Sequence, residues 1–140
     1  ACLGPKRRPR TTLSPSLALK DGLPYMVFGT PGGDQQDQWS LHLFLRHVHF
    51  GLNLQESIDA PGFSTAHFPN SFYPRETDIG HLAVEGRFPR KTIDELIKKG
   101  HKVSVDTDWS LGRMTAASKD GQILRGAANP RFMQGYAIGR

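Results

Sequence analysis

The spacing of apolar residues predicts a pair of strands at the start of the chain. Residues 13–19 and 23–28 are rich in apolar side chains, and Lys20-Asp21-Gly22 joins them. An Asp-Gly pair between two apolar segments is typical of a tight β-hairpin. The same criteria predict four more strands, over residues 82–88, 101–105, 113–118 and 122–125, the last two joined through Lys119-Asp120-Gly121.

A helical period follows the first two strands. Across residues 34–50, Leu41, Phe44, Leu45 and Val48 recur every three or four positions, which places them on one face of a helix. We expect this face to pack against the predicted sheet.

Two shorter helices are predicted further along. Asn53 with Glu56 three positions later forms the pattern of a capping box, and Pro61 ends that helix. Residues 90–99 form the other helix, which ends at Gly100. Residues 61–74 lie between the two helices and show no regular period. Their aromatic side chains predict a loop pressed onto the body of the protein: Phe63, Phe68, Phe72 and Tyr73.

These elements indicate a mixed α and β protein. A chain of 140 residues, of which 37% are hydrophobic and 22% charged, suits one soluble domain with a substantial core. No stretch approaches the roughly 18 consecutive apolar residues that span a bilayer, so no membrane partner is expected. The compartment is left open.

The basic residues are unevenly distributed. The formal net charge is +5, and Lys6, Arg7, Arg8 and Arg10 form one cluster. No aromatic side chains interleave with this cluster, as a platform for stacked bases would require, so nucleic acid is not expected as a partner. A freestanding interaction module that binds an anionic partner through this basic arm is the alternative interpretation of the chain.

The residues that could bind a metal do not have a suitable spacing. His42 and His49 are seven positions apart, His47 lies elsewhere on the same helix, and no His-x-x-x-His pair occurs. The single cysteine, Cys2, excludes an internal disulfide. No metal site and no cofactor are therefore predicted.

Candidate chemistry lies where the second strand meets the long helix. There the chain reads Gly29-Thr30-Pro31-Gly32-Gly33, and the helix pattern opens at Asp34. Two adjacent glycines at the positive end of a helix leave their N–H groups accessible, and such a pair can hold a developing oxyanion. The alternative interpretation of this segment is an ordinary strand-to-helix turn in which Asp34 caps the helix. Phosphate-binding patterns are absent.

Four blocks, taken in order, resemble the γ-glutamyltranspeptidase family. They are Arg8-Pro9-Arg10-Thr11-Thr12-Leu13-Ser14-Pro15, then Gly29-Thr30-Pro31-Gly32-Gly33, then Gly51-Leu52-Asn53-Leu54-Gln55-Glu56 with Asp59-Ala60-Pro61, and finally Gly126-Ala127-Ala128-Asn129-Pro130-Arg131. Because the blocks extend over nearly the whole chain, the resemblance is far more specific than any one of them.

The resemblance implies an α+β fold that is part of an N-terminal nucleophile hydrolase sandwich. In such a αββα sandwich, helices pack on antiparallel sheets. Residues 1–140 would form one domain fragment, the C-terminal part of the small subunit of a self-cleaving precursor. The attacking threonine, which heads that small subunit, would lie in the preceding part of the precursor, the expected partner. This chain would hold no nucleophile and would be inactive alone.

By the same resemblance, Gly32 and Gly33 supply the oxyanion hole, and Thr11 and Thr12 hold the substrate carboxylate. The family usually has two serines at the latter positions, so the added methyl groups narrow the pocket. Residues 34–39 also depart from the family pattern and resemble a branch that includes β-lactam side-chain acylases. The substrate is therefore a γ-glutamyl amide or a related acyl amide, and both hydrolysis and transfer stay open.

Overall fold

The computed structural model describes residues 4–8, 11–133 and 135–139, so Cys2 and Arg10 lie outside the described residues. The helices and strands, in chain order, are β1 (Ser16–Lys20), β2 (Leu23–Gly29), α1 (Gln36–Val48), α2 (Leu54–Asp59), β3 (Phe63–Thr65), β4 (His81–Glu85), α3 (Arg90–Lys98), β5 (Lys102–Asp106), β6 (Thr115–Asp120) and β7 (Ile123–Ala128). Among these residues, no helix combines the length and apolar character needed to cross a bilayer.

The larger sheet is antiparallel and has the strand order β1-β2-β6-β7. Both predicted hairpins are confirmed, since β1 pairs with β2 and β6 pairs with β7. The first strand of the second hairpin was predicted two residues too early, since β6 begins at Thr115 and continues through Lys119 and Asp120, which pair across the turn with β7. The α+β class expected from the sequence is likewise confirmed.

The smaller sheet has the order β3-β4-β5, with β3 antiparallel and β5 parallel to β4. Strand β3 lies within residues 61–74, so the expectation of a wholly irregular segment was wrong. Three residues are too few to show a period of two, and their partners on β4 lie about twenty positions away. Helix α3 connects the two parallel strands.

The apolar core lies between the larger sheet and helices α1 and α2. Its most buried members are Met26 on β2, Leu43 on α1 and Ile58 on α2. Helix α2 begins with the predicted capping box, because the Asn53 side chain accepts from the Glu56 amide and the Glu56 carboxylate accepts from the Asn53 amide. Helix α1 packs on the sheet as predicted, but the predicted face was partly wrong: Leu43 and Phe44 make the contact, whereas Leu41 and Val48 are 53% and 44% exposed.

The opposite face of the larger sheet is apolar but uncovered. Leu17, Val27 and Ala117 pair side by side across β1, β2 and β6, and all three are exposed. Tyr136 and Ile138 lie over the same face and help to line a groove of about 760 Å³.

A carboxylate buried at the end of β4 joins several distant segments. The side chain of Glu85 is 0% exposed, and its two oxygens accept hydrogen bonds from Arg131 at 2.7 and 2.9 Å. Arg87 donates at 2.6 Å, and the amides of Gly62 and Leu111 each donate at 2.9 Å. Burial alone would raise the pKa of Glu85, but these donors outweigh it and lower the pKa to about 2.

The same arginines satisfy the carbonyl groups at the end of α2. Arg131, Arg87 and Arg46 reach this end from three separate parts of the chain. Their acceptors are the carbonyl oxygens of Ser57, Ile58, Asp59, Ala60 and Pro61. Positive charge at a helix C-terminus is favourable, which offsets the excess of arginine over carboxylate in this cluster.

We predict that Glu85→Gln lowers the free energy of unfolding by about 3–5 kcal/mol, because it leaves buried arginines without a counter-charge. Asp94→Asn is the matched control, since Asp94 forms an exposed ion pair with Arg90, and its cost should stay below about 0.5 kcal/mol. Urea unfolding of both variants measures the difference.

The pH dependence of unfolding gives an independent check on the same carboxylate. A pKa held below the ordinary value of 4.5 means that the ionised form favours the fold. The stabilisation from Glu85 should therefore be fully present above pH 4.5 and be lost as pH falls toward 2. Equal acid sensitivity of the wild type and Glu85→Gln would contradict this assignment.

Candidate active site

The two glycines form a sharp bend between β2 and α1. Gly32 has a φ of 146° and Gly33 a φ of 59°, values that favour glycine. Among the described residues, neither amide N–H has a hydrogen-bond acceptor within the protein, and Gly33 is exposed. The bend therefore presents two unpaired backbone donors at the positive end of a 13-residue helix.

A tryptophan from α1 explains why the first of these positions tolerates only glycine. A Cβ on Gly32 would lie 2.2 Å from Cζ3 of Trp39, which is far inside van der Waals contact. The other part of the indole lies against Gly112, and its N–H donates to the carbonyl of Phe63 at 3.2 Å. Gly32 thus lies flat against a ring that is itself fixed.

Of the two threonines, Thr12 lines the same cleft as Gly32 and Gly33, and Thr11 lies next to it in the chain. Gln36, in the first turn of α1, donates to the carbonyl of Thr12 at 2.9 Å and accepts from the hydroxyl of Ser14 at 2.6 Å. The Thr11 hydroxyl accepts from the Leu13 amide at 3.1 Å, whereas the Thr12 hydroxyl has no hydrogen bond among the described residues. Thr12 is therefore the better placed of the two to meet a ligand.

Two clefts meet at this point. The diglycine cleft has a volume of about 700 Å³. Its lining is Thr12, Leu13, Ser14, Pro15, Gly29, Thr30, Pro31, Gly32, Gly33, Gln36 and Phe72. The outer cleft has a volume of about 560 Å³ and adds Thr11 and three carboxylates, those of Asp34, Asp37 and Glu76. The two clefts share six lining residues: Thr12, Leu13, Ser14, Gly33, Gln36 and Phe72. The glycine bend and the threonine segment, both predicted from the sequence as parts of the site, therefore line the same pair of clefts.

The loop between β3 and β4 closes one side of both clefts. The carboxylate of Asp34 accepts from the Ser71 amide at 2.6 Å and from the Ser71 hydroxyl at 2.5 Å. Gln38, one turn further along α1, exchanges two hydrogen bonds with the backbone of Thr65. Asp34 is thus engaged with the loop, and the residue at the N-cap position of α1 is Gln35.

The histidines of α1 are not gathered into a site. Burial and the nearby charge of Arg46 lower the pKa of His42 to about 4, and its ring stacks on Phe63 with centroids 3.9 Å apart. His47 instead bonds the Tyr25 hydroxyl at 2.7 Å. Among the residues that the structure describes, no group of three or more His, Cys, Asp or Glu side chains could hold a metal ion.

This arrangement offers backbone donors that suit an oxyanion and a hydroxyl that suits a ligand. Among the described residues, no base is hydrogen-bonded to the Thr12 hydroxyl, so this hydroxyl is not activated as a nucleophile there. The polar residues Asp34, Gln36 and Gln38 were not recognised as organisers of the site from sequence. Glu85 was missed too, although a charged residue in an apolar strand is a usable signal.

The protein-family comparison explains this combination of features. The family described as Gamma-glutamyltranspeptidase matches residues 1–139, and the chain belongs to this family. The matched range includes Lys6, Arg7 and Arg8, so the basic arm is part of the family domain. These three basic side chains are exposed.

Individual relatives extend well beyond this chain. It is 34% identical over 140 residues to the Glutathione hydrolase-like YwrD proenzyme of Bacillus subtilis (strain 168), covering 98% of this chain and 25% of that protein. It is also similar to the solved structure of LmbA2991, with 54% identity and a TM-score of 0.89, over 99% of this chain and 25% of that one. The chain thus spans about a quarter of the length of these relatives.

A more distant structure shows the fold. The Gamma-glutamyltranspeptidase from Pseudomonas nitroreducens has a TM-score of 0.73 at 24% identity, over 99% of this chain and 66% of that chain. The fold is therefore that of part of an N-terminal nucleophile hydrolase, as the sequence led us to expect.

Proposed function

We propose that this chain forms the oxyanion-stabilising and ligand-holding portion of an enzyme that cleaves γ-glutamyl or related acyl amides. The observation that carries the proposal is the pair of unpaired Gly32 and Gly33 amides on the wall of a cleft that Thr12 also lines. Membership of the γ-glutamyltranspeptidase family supports the reaction class.

In the proposed reaction, a threonine at the head of the small subunit attacks the amide carbonyl carbon. Its hydroxyl proton passes to its own α-amine, and the carbonyl oxygen becomes an oxyanion held by Gly32 and Gly33. The C–N bond then breaks, and the departing amine takes the proton. Water or an acceptor amine finally attacks the acyl-enzyme and regenerates the threonine.

The uncovered face of the larger sheet supports a partner from the same precursor. Leu17 is 60% exposed and Val27 is 49% exposed, and both lie on a contiguous apolar face. A sandwich fold requires a second sheet on such a face. We propose that the preceding part of the precursor supplies that sheet together with the nucleophile, so that residues 1–140 are the C-terminal part of its small subunit.

We predict that Gly33→Val in the whole protein lowers kcat by about 10²-fold or more, because it displaces one oxyanion donor. Gly33 is a better test than Gly32, since its added Cβ would meet only Phe72 at 3.8 Å. Gly121→Val is the matched control, because Gly121 has the same φ of 59° in a distant hairpin turn. Equal loss of kcat in both variants would contradict the assignment.

The threonine hydroxyl gives a second prediction. Thr12→Val keeps the shape of the side chain and removes the donor, so KM for a γ-glutamyl anilide should rise by about 10-fold, the worth of a hydrogen bond to a charged group. Thr12→Ser should keep KM low, because it restores the hydroxyl. If Val and Ser variants have the same KM, Thr12 does not hold the substrate carboxylate.

Complementation tests the division of the site. The purified 140-residue chain should not hydrolyse a chromogenic γ-glutamyl anilide, whereas co-expression with the preceding part of the precursor should restore turnover. Hydrolysis by the isolated chain would show that the nucleophile lies within it. Measuring acyl-enzyme mass in the restored protein identifies the attacking residue.

A further inference from the structure

The segment between β3 and β4 is a compact loop with its own hydrogen bonds. The Asp78 amide donates to the carbonyl of Ala66 at 2.9 Å and so closes the base of the loop. Nearer the tip, the Asn70 amide donates to the carbonyl of Glu76 at 2.7 Å. The loop therefore holds a defined shape over residues 66–78 instead of extending into solvent.

Asp34 fixes this loop directly beside the glycines. It follows Gly33 in the chain, and its two oxygens accept both polar hydrogens of Ser71. Hydrogen bonds to a carboxylate are stronger than neutral ones, and two together also fix orientation. As a result, Cε2 of Phe72 lies 3.8 Å from the point where a Cβ on Gly33 would be.

Phe72 lines two clefts of different charge. The outer cleft carries the carboxylates of Asp34, Asp37 and Glu76. The described lining of the diglycine cleft contains no ionisable side chain, and its apolar surfaces are Phe72 and Leu13, which both clefts share, and Pro31. Leu13 is 77% exposed and Phe72 54% exposed, so both offer apolar area that a ligand would remove from water.

We propose, on the basis of the function proposed above, that Phe72 is a specificity residue for acyl groups with an apolar or aryl segment next to the reacting carbonyl. A carbonyl held by the Gly32 and Gly33 amides places its acyl chain in the uncharged cleft, against the Phe72 ring. Asp34 and Ser71 are positioning residues that hold the ring there. The loop thereby selects the acyl group without contributing to bond cleavage.

The test compares two anilides with one leaving group in the whole protein. The substrates are the 4-nitroanilides of phenylacetic acid and of γ-linked glutamic acid. Phe72→Ala should lower the ratio of kcat/KM for phenylacetyl over γ-glutamyl substrate by at least about 10-fold, the scale on which apolar pocket contacts discriminate. Tyr73→Ala is the control, because Tyr73 is the adjacent aromatic, 96% exposed, and should leave the ratio unchanged.

Substitutions of Ser71 test whether the contact between Asp34 and Ser71 positions the Phe72 ring. Ser71→Ala removes the hydroxyl that donates to Asp34 and should shift the ratio in the same direction as Phe72→Ala, while Ser71→Thr keeps the hydroxyl and should restore the ratio. A loss of fold or of the oxyanion site would instead lower both kcat/KM values together. The ratio therefore separates selection of the acyl group from general damage.

Three outcomes overturn the inference. A wild-type protein that turns over the γ-glutamyl anilide but not the phenylacetyl anilide refutes the apolar preference and leaves the proposed function intact. If Phe72→Ala changes kcat/KM equally for both substrates, the role of the Phe72 ring is refuted and the proposed function is untouched. Absence of turnover with either substrate, in a protein that forms no acyl-enzyme with them, removes the proposed function and this inference with it.

Discussion

The start of α1, together with the 3-10 turn Gly33–Gln35 that precedes it, is the constraint on which the candidate site depends. Three polar side chains of this stretch hold three different segments: Asp34 binds Ser71, Gln36 binds Thr12 and Ser14, and Gln38 binds Thr65. Trp39 adds the contact with Gly32. One rigid element thus sets the positions of the glycine bend, the threonines and the loop that carries Phe72. The contacts of Gln36 and Gln38 are partly buried, so a lost partner there would leave a polar group unsatisfied.

Polar contacts also join the smaller sheet to the rest of the molecule. The main apolar cluster contains residues of the larger sheet, α1 and α2, such as Met26, Leu43 and Ile58, but none from β3, β4 or β5. On one side the smaller sheet is linked to α1 through the hydrogen bonds of Gln38 and Trp39 and through the stacking of His42 on Phe63, and on the other side it is linked through the Glu85 cluster. Hydrogen bonds are directional, so this attachment fixes the angle of the loop over the clefts more closely than apolar contact would.

Local patterns predicted most elements but few of their connections. The hairpin at Asp21-Gly22, the helix over 36–48 and the capping box at Asn53 depend on neighbours in sequence, and all three were recognised. Strand β3 pairs with residues 17 to 21 positions away, and the Glu85 cluster draws on partners up to 46 positions away, which no local period reveals. The glycine bend was predicted in two ways. Its local sequence predicted a pair of backbone donors, and the family resemblance gave that pair a role as an oxyanion hole.

In the proposed site, the oxyanion donors belong to the backbone and the walls of the cleft are formed by side chains. The amides of Gly32 and Gly33 are present whatever side chains surround them, provided that Trp39 and the bend keep their geometry. Phe72 and Thr12, in contrast, lie on segments that hydrogen bonds from Asp34 and Gln36 hold in place. Substitutions in these walls are therefore expected to change which acyl group binds, whereas the donors of the bend stay as they are.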